Sequence, residues 1–151
     1  MEKRKSPRLQ DYDYATDNYY FVTICTAEKA CIFGTPTSLN WMGKIVKQHI
    51  ENLEDHYSEI QIDKYVVMPN HVHLIVKVGC NPKNANHTSL NTVIGQLKSG
   101  ISREIHNIEP NVVIWQRSFH DHIIRNEKAY QKIWLYIDSN PQLWDKDCFY
   151  M

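Results

Sequence analysis

Apolar and polar residues recur along this chain with two different periods, and the switches between them mark its elements. Over residues 71–78 the period is two. His71, His73 and Ile75 fall on one face of an extended segment, and Val72, Leu74 and Val76 on the other. Just before it, Val66, Val67 and Met68 form a second strand that stops at Pro69-Asn70, because proline cannot donate to a ladder. Residues 57–62 lead into this pair. Residues 19–26 are aromatic and β-branched and end in a polar turn, another strand; 112–115 and 119–125 read the same way. Elsewhere the period is helical. Trp41, Ile45, Val46, Ile50 and Leu53 make one stripe over 39–53, with Lys44, Lys47, Gln48 and Glu51 outward. Over 90–106, Val93, Leu97, Ile101 and Ile105 repeat every fourth residue behind a capping Ser89. Over 129–139 the stripe is Tyr130, Ile133, Trp134 and Ile137, opened after Asn126 and closed at Asn140-Pro141.

Four main strands interrupted by two helices, then a last helix, predict an α+β fold. It is a ferredoxin-like sandwich: an antiparallel sheet of four to five strands, helices on one face, the other face free, and a separate C-terminal helix. The chain 1–151 reads as one domain with a basic arm (1–18), a polar loop (79–89) and an apolar tail (142–151).

Composition narrows the function. The 151 residues carry 17 basic and 17 acidic side chains, so no global field announces nucleic acid or a membrane, and an anionic partner must meet a local patch. In the arm, Lys3, Arg4, Lys5 and Arg8 are such a patch or a solvated terminus. No stretch has the pattern of a signal peptide or the length of a membrane span, and Cys25, Cys31, Cys80 and Cys148 show no paired spacing. Reduced thiols in the cytoplasm are the expectation.

The candidate chemistry starts from His71 and His73. Their spacing lets two imidazoles reach one ion, although such a pair on a strand is often only a polar face. On the last helix, Tyr136 and Asn140 lie one turn apart and share a face. Should that helix cross the histidine face, Asn140 can offer its amide oxygen as a third ligand and Tyr136 its hydroxyl nearby. Two imidazoles and a carbonyl with open positions suit Mg²⁺ or Mn²⁺, which activates a phosphate toward a nucleophile as weak as tyrosine. Tyr130, opening the same helix, is the second candidate nucleophile. Lys98, Arg103, Arg117 and Arg125 are candidate phosphate contacts, each also readable as a solvated charge. His120 and His122 are DNA-facing candidates or an ordinary polar strand face. Trp115 and Trp144 can stack on bases or pack.

These residues resemble a known family. Met68-Pro-Asn-His-Val-His-Leu-Ile-Val76 is similar to the His-hydrophobic-His signature of the IS200-like single-tyrosine transposases, and most of all to their REP-associated tyrosine transposase branch. Tyr20-Phe-Val-Thr-Ile-Cys-Thr26, Gly95-Gln-Leu-Lys-Ser99, the run from Trp115 to Asn126 and Tyr136-Ile-Asp-Ser-Asn-Pro141 extend the resemblance, in order, over nearly the whole chain. It implies a metal-dependent enzyme, usually a homodimer, that cleaves and rejoins single-stranded DNA next to hairpins. Tyr136 matches the nucleophile that forms a 5′-phosphotyrosine. His71 and His73 match the metal pair, and Asn140 falls where relatives place a polar third ligand. His120 departs from the tyrosine usual near that position.

Two other readings compete. A histidine-based nucleotide hydrolase needs a third histidine where Ile75 stands, or hydroxyls that the Val-His and Asp-His pairs lack. A domesticated, non-catalytic protein binding hairpin DNA or RNA would keep the sheet and lose the chemistry. The joint presence of Tyr136, His71, His73 and Asn140 favours the enzyme.

Overall fold

The computed structural model describes residues 18–79 and 89–146. The basic arm, most of the polar loop and the end of the tail lie outside the described residues, as do Cys80 and Cys148. The chain runs β1 (Asn18–Cys25), a two-strand hairpin β2 (Gly34–Thr35) and β3 (Ser38–Leu39), α1 (Trp41–Glu51), and a single turn α2 (Leu53–His56). It continues through β4 (Ile60–Met68), β5 (His71–Val78), α3 (Leu90–His106), β6 (His120–Ile124) and α4 (Glu127–Ser139).

One antiparallel sheet of four strands is ordered β4-β5-β1-β6. β1 reaches β4 through α1 and leaves room for β5 between them; β5 reaches β6 through α3 across β1. These two interleaved split crossovers are the ferredoxin-like arrangement expected from the sequence. β4 and β5 meet in a two-residue turn, Pro69-Asn70, flanked by the pair Met68 and His71. The turn is held from outside the hairpin: Phe33 N–H donates to Pro69 O at 3.1 Å and Thr26 N–H to Asn70 O at 3.0 Å.

α1 and α3 close one sheet face. Val22, Ile24, Val72, Leu74 and Val76 meet Val46, Ile50, Val93, Leu97 and Ile101 there, all buried. Both helices begin on side-chain caps, Asn40 accepting from Gly43 N–H at 2.9 Å and Ser89 from Thr92 N–H at 3.2 Å. Gly43 is required by proximity, since a Cβ there would lie 2.4 Å from the Phe33 carbonyl oxygen. Among the described residues no helix is long and apolar enough to cross a membrane.

Three expectations are corrected. The second sheet face is not free, because α4 lies over it, burying Ile75, Ile124 and Ile137 beneath Ile133 and Trp134. Residues 112–115 form no strand; Thr26 and Trp115 make a single bridge, and Ile114 is drawn into the core instead. Trp41, expected on the buried stripe, opens α1 with 40% of its surface exposed, and the stripe begins at Ile45.

Candidate functional site

The site lies on the sheet face beneath α4. Alternation along β5 turns His71 and His73 there, and the register adds Cys25 and Thr23 of β1 opposite them, with Phe21 opposite Ile75. The two imidazoles sit with ring centroids 4.5 Å apart. Their separation is shorter than the strand spacing because the rings lean toward each other. They are 0% and 2% exposed, respectively.

Each ring is oriented by a neighbour that the sequence reading missed. His71 Nδ1 lies 2.9 Å from Asn70 Oδ1. His73 Nδ1 lies 2.9 Å from the Thr23 hydroxyl. In both residues the other ring nitrogen, Nε2, is buried. Burial first, and the adjacent His71 second, hold the His73 imidazole neutral, its pKa well below the ordinary value. Neutral imidazole is the form that binds metal.

α4 starts on Asn126, whose side chain accepts from Ala129 N–H at 2.8 Å. The helix is tied to β4 at two consecutive residues. Tyr130 donates its hydroxyl to Asp63 Oδ2 at 2.8 Å. Lys64 Nζ pairs with Asp138 Oδ1 at 2.8 Å and lies 4.0 Å from the Trp134 ring centre. Consecutive strand residues ordinarily point to opposite faces, but the register shifts between Ile62 and Lys64, leaving Asp63 as the extra residue of a bulge. That bulge lets both side chains serve α4.

So docked, α4 carries Tyr136 to the histidines of its own chain. Its ring centroid is 5.3 Å from His73 and 6.2 Å from Phe21, and it remains 41% exposed. Trp144, beyond the helix, is 6.1 Å from the His71 ring. Asn140 falls between these two contacts along the chain. It is 3% exposed, and its Oδ1 is buried with no hydrogen-bond donor among the described residues. No third His, Cys, Asp or Glu joins the pair among those residues. Tyr130 is a poor nucleophile in this setting. Burial, followed by its bond to Asp63, pushes its pKa up to about 12.

The remaining candidates are dispersed. His122 is exposed on β6 with its ring 5.3 Å from Phe21, and so adjoins the site; His120, also exposed, pairs with Thr23 on the same face. Lys98 is committed to structure, donating to the carbonyls of Gln116 and Ser118 at 2.9 and 2.6 Å. Between Thr23↔His120 and Thr26↔Trp115 the register slips, and the slack is taken up around Ser118, which is left-handed at φ 68°. Lys98 pins that excursion, and exposed Arg117 sits on it, lining the same depression as Lys98. Arg103 belongs to a groove between α1 and α3 on the opposite face, and Arg125 to a hollow beside Tyr19 and Tyr130. These four cations form no single patch. Trp115 packs against Phe33 at 5.5 Å.

The site is thus a histidine pair buried on a ferredoxin-like antiparallel sheet beneath a tyrosine-bearing helix. Residues 15–140 match the model of the family described as "Transposase IS200 like". The chain belongs to the IS200-like transposase family, whose members are DNA-processing enzymes. An uncharacterized protein of Haemophilus influenzae is 33% identical over 171 residues, covering 100% of this chain and 95% of that protein. A REP-associated tyrosine transposase, solved bound to a REP hairpin, shares the fold with a TM-score of 0.67 and 20% identity over 89% of this chain and 72% of that one. A structure from Deinococcus radiodurans, named as a transposase, has a TM-score of 0.55 and 16% identity over 87% of this chain and 95% of its own.

Proposed function

We propose that this transposase is a metal-dependent, single-tyrosine enzyme that cleaves and rejoins single-stranded DNA beside hairpins of the REP type, acting as a homodimer. The observation that carries the reading is the meeting of Tyr136, 5.3 Å from His73, with two imidazoles 4.5 Å apart on one sheet face. Family membership and the hairpin held by the structural neighbour support the choice of DNA substrate.

His71 and His73 through Nε2, and Asn140 through Oδ1, would hold the ion. The donors fit: neutral imidazoles, and a buried amide oxygen for which the described protein supplies no donor. Bound Mg²⁺ or Mn²⁺ would supply Lewis-acid polarisation of the scissile phosphate, and the nitrogen ligands favour Mn²⁺ of the two. The Tyr136 oxygen attacks phosphorus, forming the phosphotyrosine bond as the P–O3′ bond breaks. The phenolic proton is balanced by the one gained by the departing 3′-oxygen, so the products are a 5′-phosphotyrosine and a 3′-hydroxyl. Attack by a 3′-hydroxyl reverses the step and rejoins DNA. Tyr136 is exposed enough to meet a strand, while Asp63 and Lys64 hold its helix. We read His120 and His122 of β6, and Arg117 just before it, as contacts for that strand.

Covalent capture tests this. Protein mixed with single-stranded hairpin DNA and Mn²⁺ should give a denaturant-resistant adduct, absent in Tyr136→Phe and His71→Ala. Binding without an adduct across several hairpins and both metals would replace the enzyme by a hairpin-binding protein. Light scattering at working concentration checks the dimer.

A further inference from the structure

Asn70 sits between two fixed points. Its side-chain amide nitrogen donates to the Lys29 carbonyl at 3.2 Å, and its Oδ1 meets His71 Nδ1 at 2.9 Å. The first bond settles the second. An amide whose nitrogen faces a carbonyl must present its oxygen to the imidazole, and an amide oxygen only accepts. Nδ1 of His71 therefore carries the ring proton, and Nε2 carries the lone pair.

The surroundings hold this arrangement rigidly. Asn70 is 0% exposed. Its backbone oxygen takes the Thr26 N–H at 3.0 Å and lies 3.0 Å from the Thr26 hydroxyl, itself buried and 2.8 Å from the Ala30 carbonyl. Lys29 presents its carbonyl from a turn wound through two successive left-handed residues, Glu28 at φ 53° and Lys29 at φ 56°. Non-glycine residues persist in that region only where the surroundings enforce it. His73 has no equivalent constraint: the Thr23 hydroxyl at its Nδ1 both donates and accepts, and permits either tautomer.

We infer that the Lys29 carbonyl, the Asn70 amide and the His71 imidazole form a relay in which Asn70 is a positioning residue, presetting His71 as the Nδ1–H tautomer and thereby raising the affinity of the site for a divalent cation. The inference rests on the metal site proposed above. Groups that bond the far nitrogen of a ligating histidine fix its tautomer and raise its basicity, and their loss typically weakens metal binding about 10–100-fold.

Two measurements separate the relay from the site it serves. The first is a long-range ¹H–¹⁵N spectrum of the metal-free wild-type protein, with His71 assigned by its loss in His71→Ala. A single Nδ1–H tautomer for His71 is expected; an Nε2–H tautomer overturns the relay without any appeal to a variant. The second is Mn²⁺ titration by calorimetry of wild type, Asn70→Ala and Asn70→Asp, each checked for folding by circular dichroism. Asn70→Ala should bind about 10–100-fold more weakly. Asn70→Asp keeps an acceptor for Nδ1–H and should stay within about threefold of wild type, since carboxylates fill this role at other histidine sites. A merely structural asparagine predicts the reverse, because aspartate would bury a charge against the Lys29 carbonyl; an aspartate variant as weak as alanine therefore overturns the relay. If wild type binds no Mn²⁺ and His71→Ala changes nothing, the metal site itself fails, while the tautomer spectrum still judges the relay alone.

Discussion

The two faces of the sheet are built from the same strands by opposite rules. Toward α1 and α3, every inward position of β5 is aliphatic, and the interface rests chiefly on buried apolar area, with Tyr65 donating to Glu51 Oε2 at 2.5 Å at its margin. Toward α4, β5 contributes two histidines before its first isoleucine, and the helix is fastened by Tyr130–Asp63 and Lys64–Asp138 as much as by Ile133 and Ile137. A helix held by a thin apolar contact and two polar ties is less deeply anchored than one sunk in a core. The difference teaches that one face supplies the stability which allows the other to bury polar side chains. Mutations on the two faces should therefore separate stability from activity.

The largest separation is expected at Tyr136. Tyr136→Phe should remove adduct formation by at least about a thousandfold, since the other tyrosine of α4, Tyr130, is bonded to Asp63 and is the poorer nucleophile. Its unfolding free energy should change by no more than about 0.5 kcal/mol, as expected for an exposed side chain; parallel adduct gels and urea melts read both. On the opposite face the signs exchange. Leu74→Ala, 0% exposed, should cost about 2–5 kcal/mol in the same melts, and the protein remaining folded should still form the adduct.

Lys64→Ala tests the fastening. An ion pair of this exposure and its cation–π contact are together worth about 1 kcal/mol, so the melt should move little. A loosened Tyr136 should nevertheless lower the single-turnover rate about tenfold or more, because catalytic geometry tolerates little misplacement. A rate loss no greater than the loss of folded protein would remove the positioning role of the bulge.

The smallest effect is that of pH on the metal-free protein. The folded chain keeps His73 neutral well below its ordinary pKa. The unfolded chain takes up a proton there once pH falls below about 6.5. Stability should then be level above that pH and decline beneath it, since the unfolded state binds more protons. Thr23→Val, altering the partner of His73, and His73→Gln should flatten or shift the slope in pH-dependent melts.

Much of this division was legible in the sequence. The fourfold repeat of Val93, Leu97, Ile101 and Ile105 located α3 to the residue, Leu90–His106. Strict alternation sorted His71 and His73 from Val72 and Leu74, and helical spacing put Tyr136 and Asn140 on one side of α4. What stayed hidden depends on pairing between distant segments. Asp63 serves α4 only through a register shift against β5, which no local pattern encodes. Residues 112–115 have strand-forming side chains, but one bridge is all that the slip before β6 allows them. Lys98 read as a free cation because its acceptors, the carbonyls of Gln116 and Ser118, are backbone groups on an excursion set by tertiary contacts. Asn70 lay inside the motif that drew attention first, yet its role depends on a carbonyl 41 residues away.

The central claim is that α4 delivers one particular hydroxyl to the histidine pair. It is tested most directly by capturing the covalent adduct on a single-stranded hairpin with Mn²⁺, digesting it with protease and nuclease, and sequencing the modified peptide by mass spectrometry. The account predicts a nucleotide remnant on Tyr136. A remnant on Tyr130, or on any residue outside α4, would contradict it.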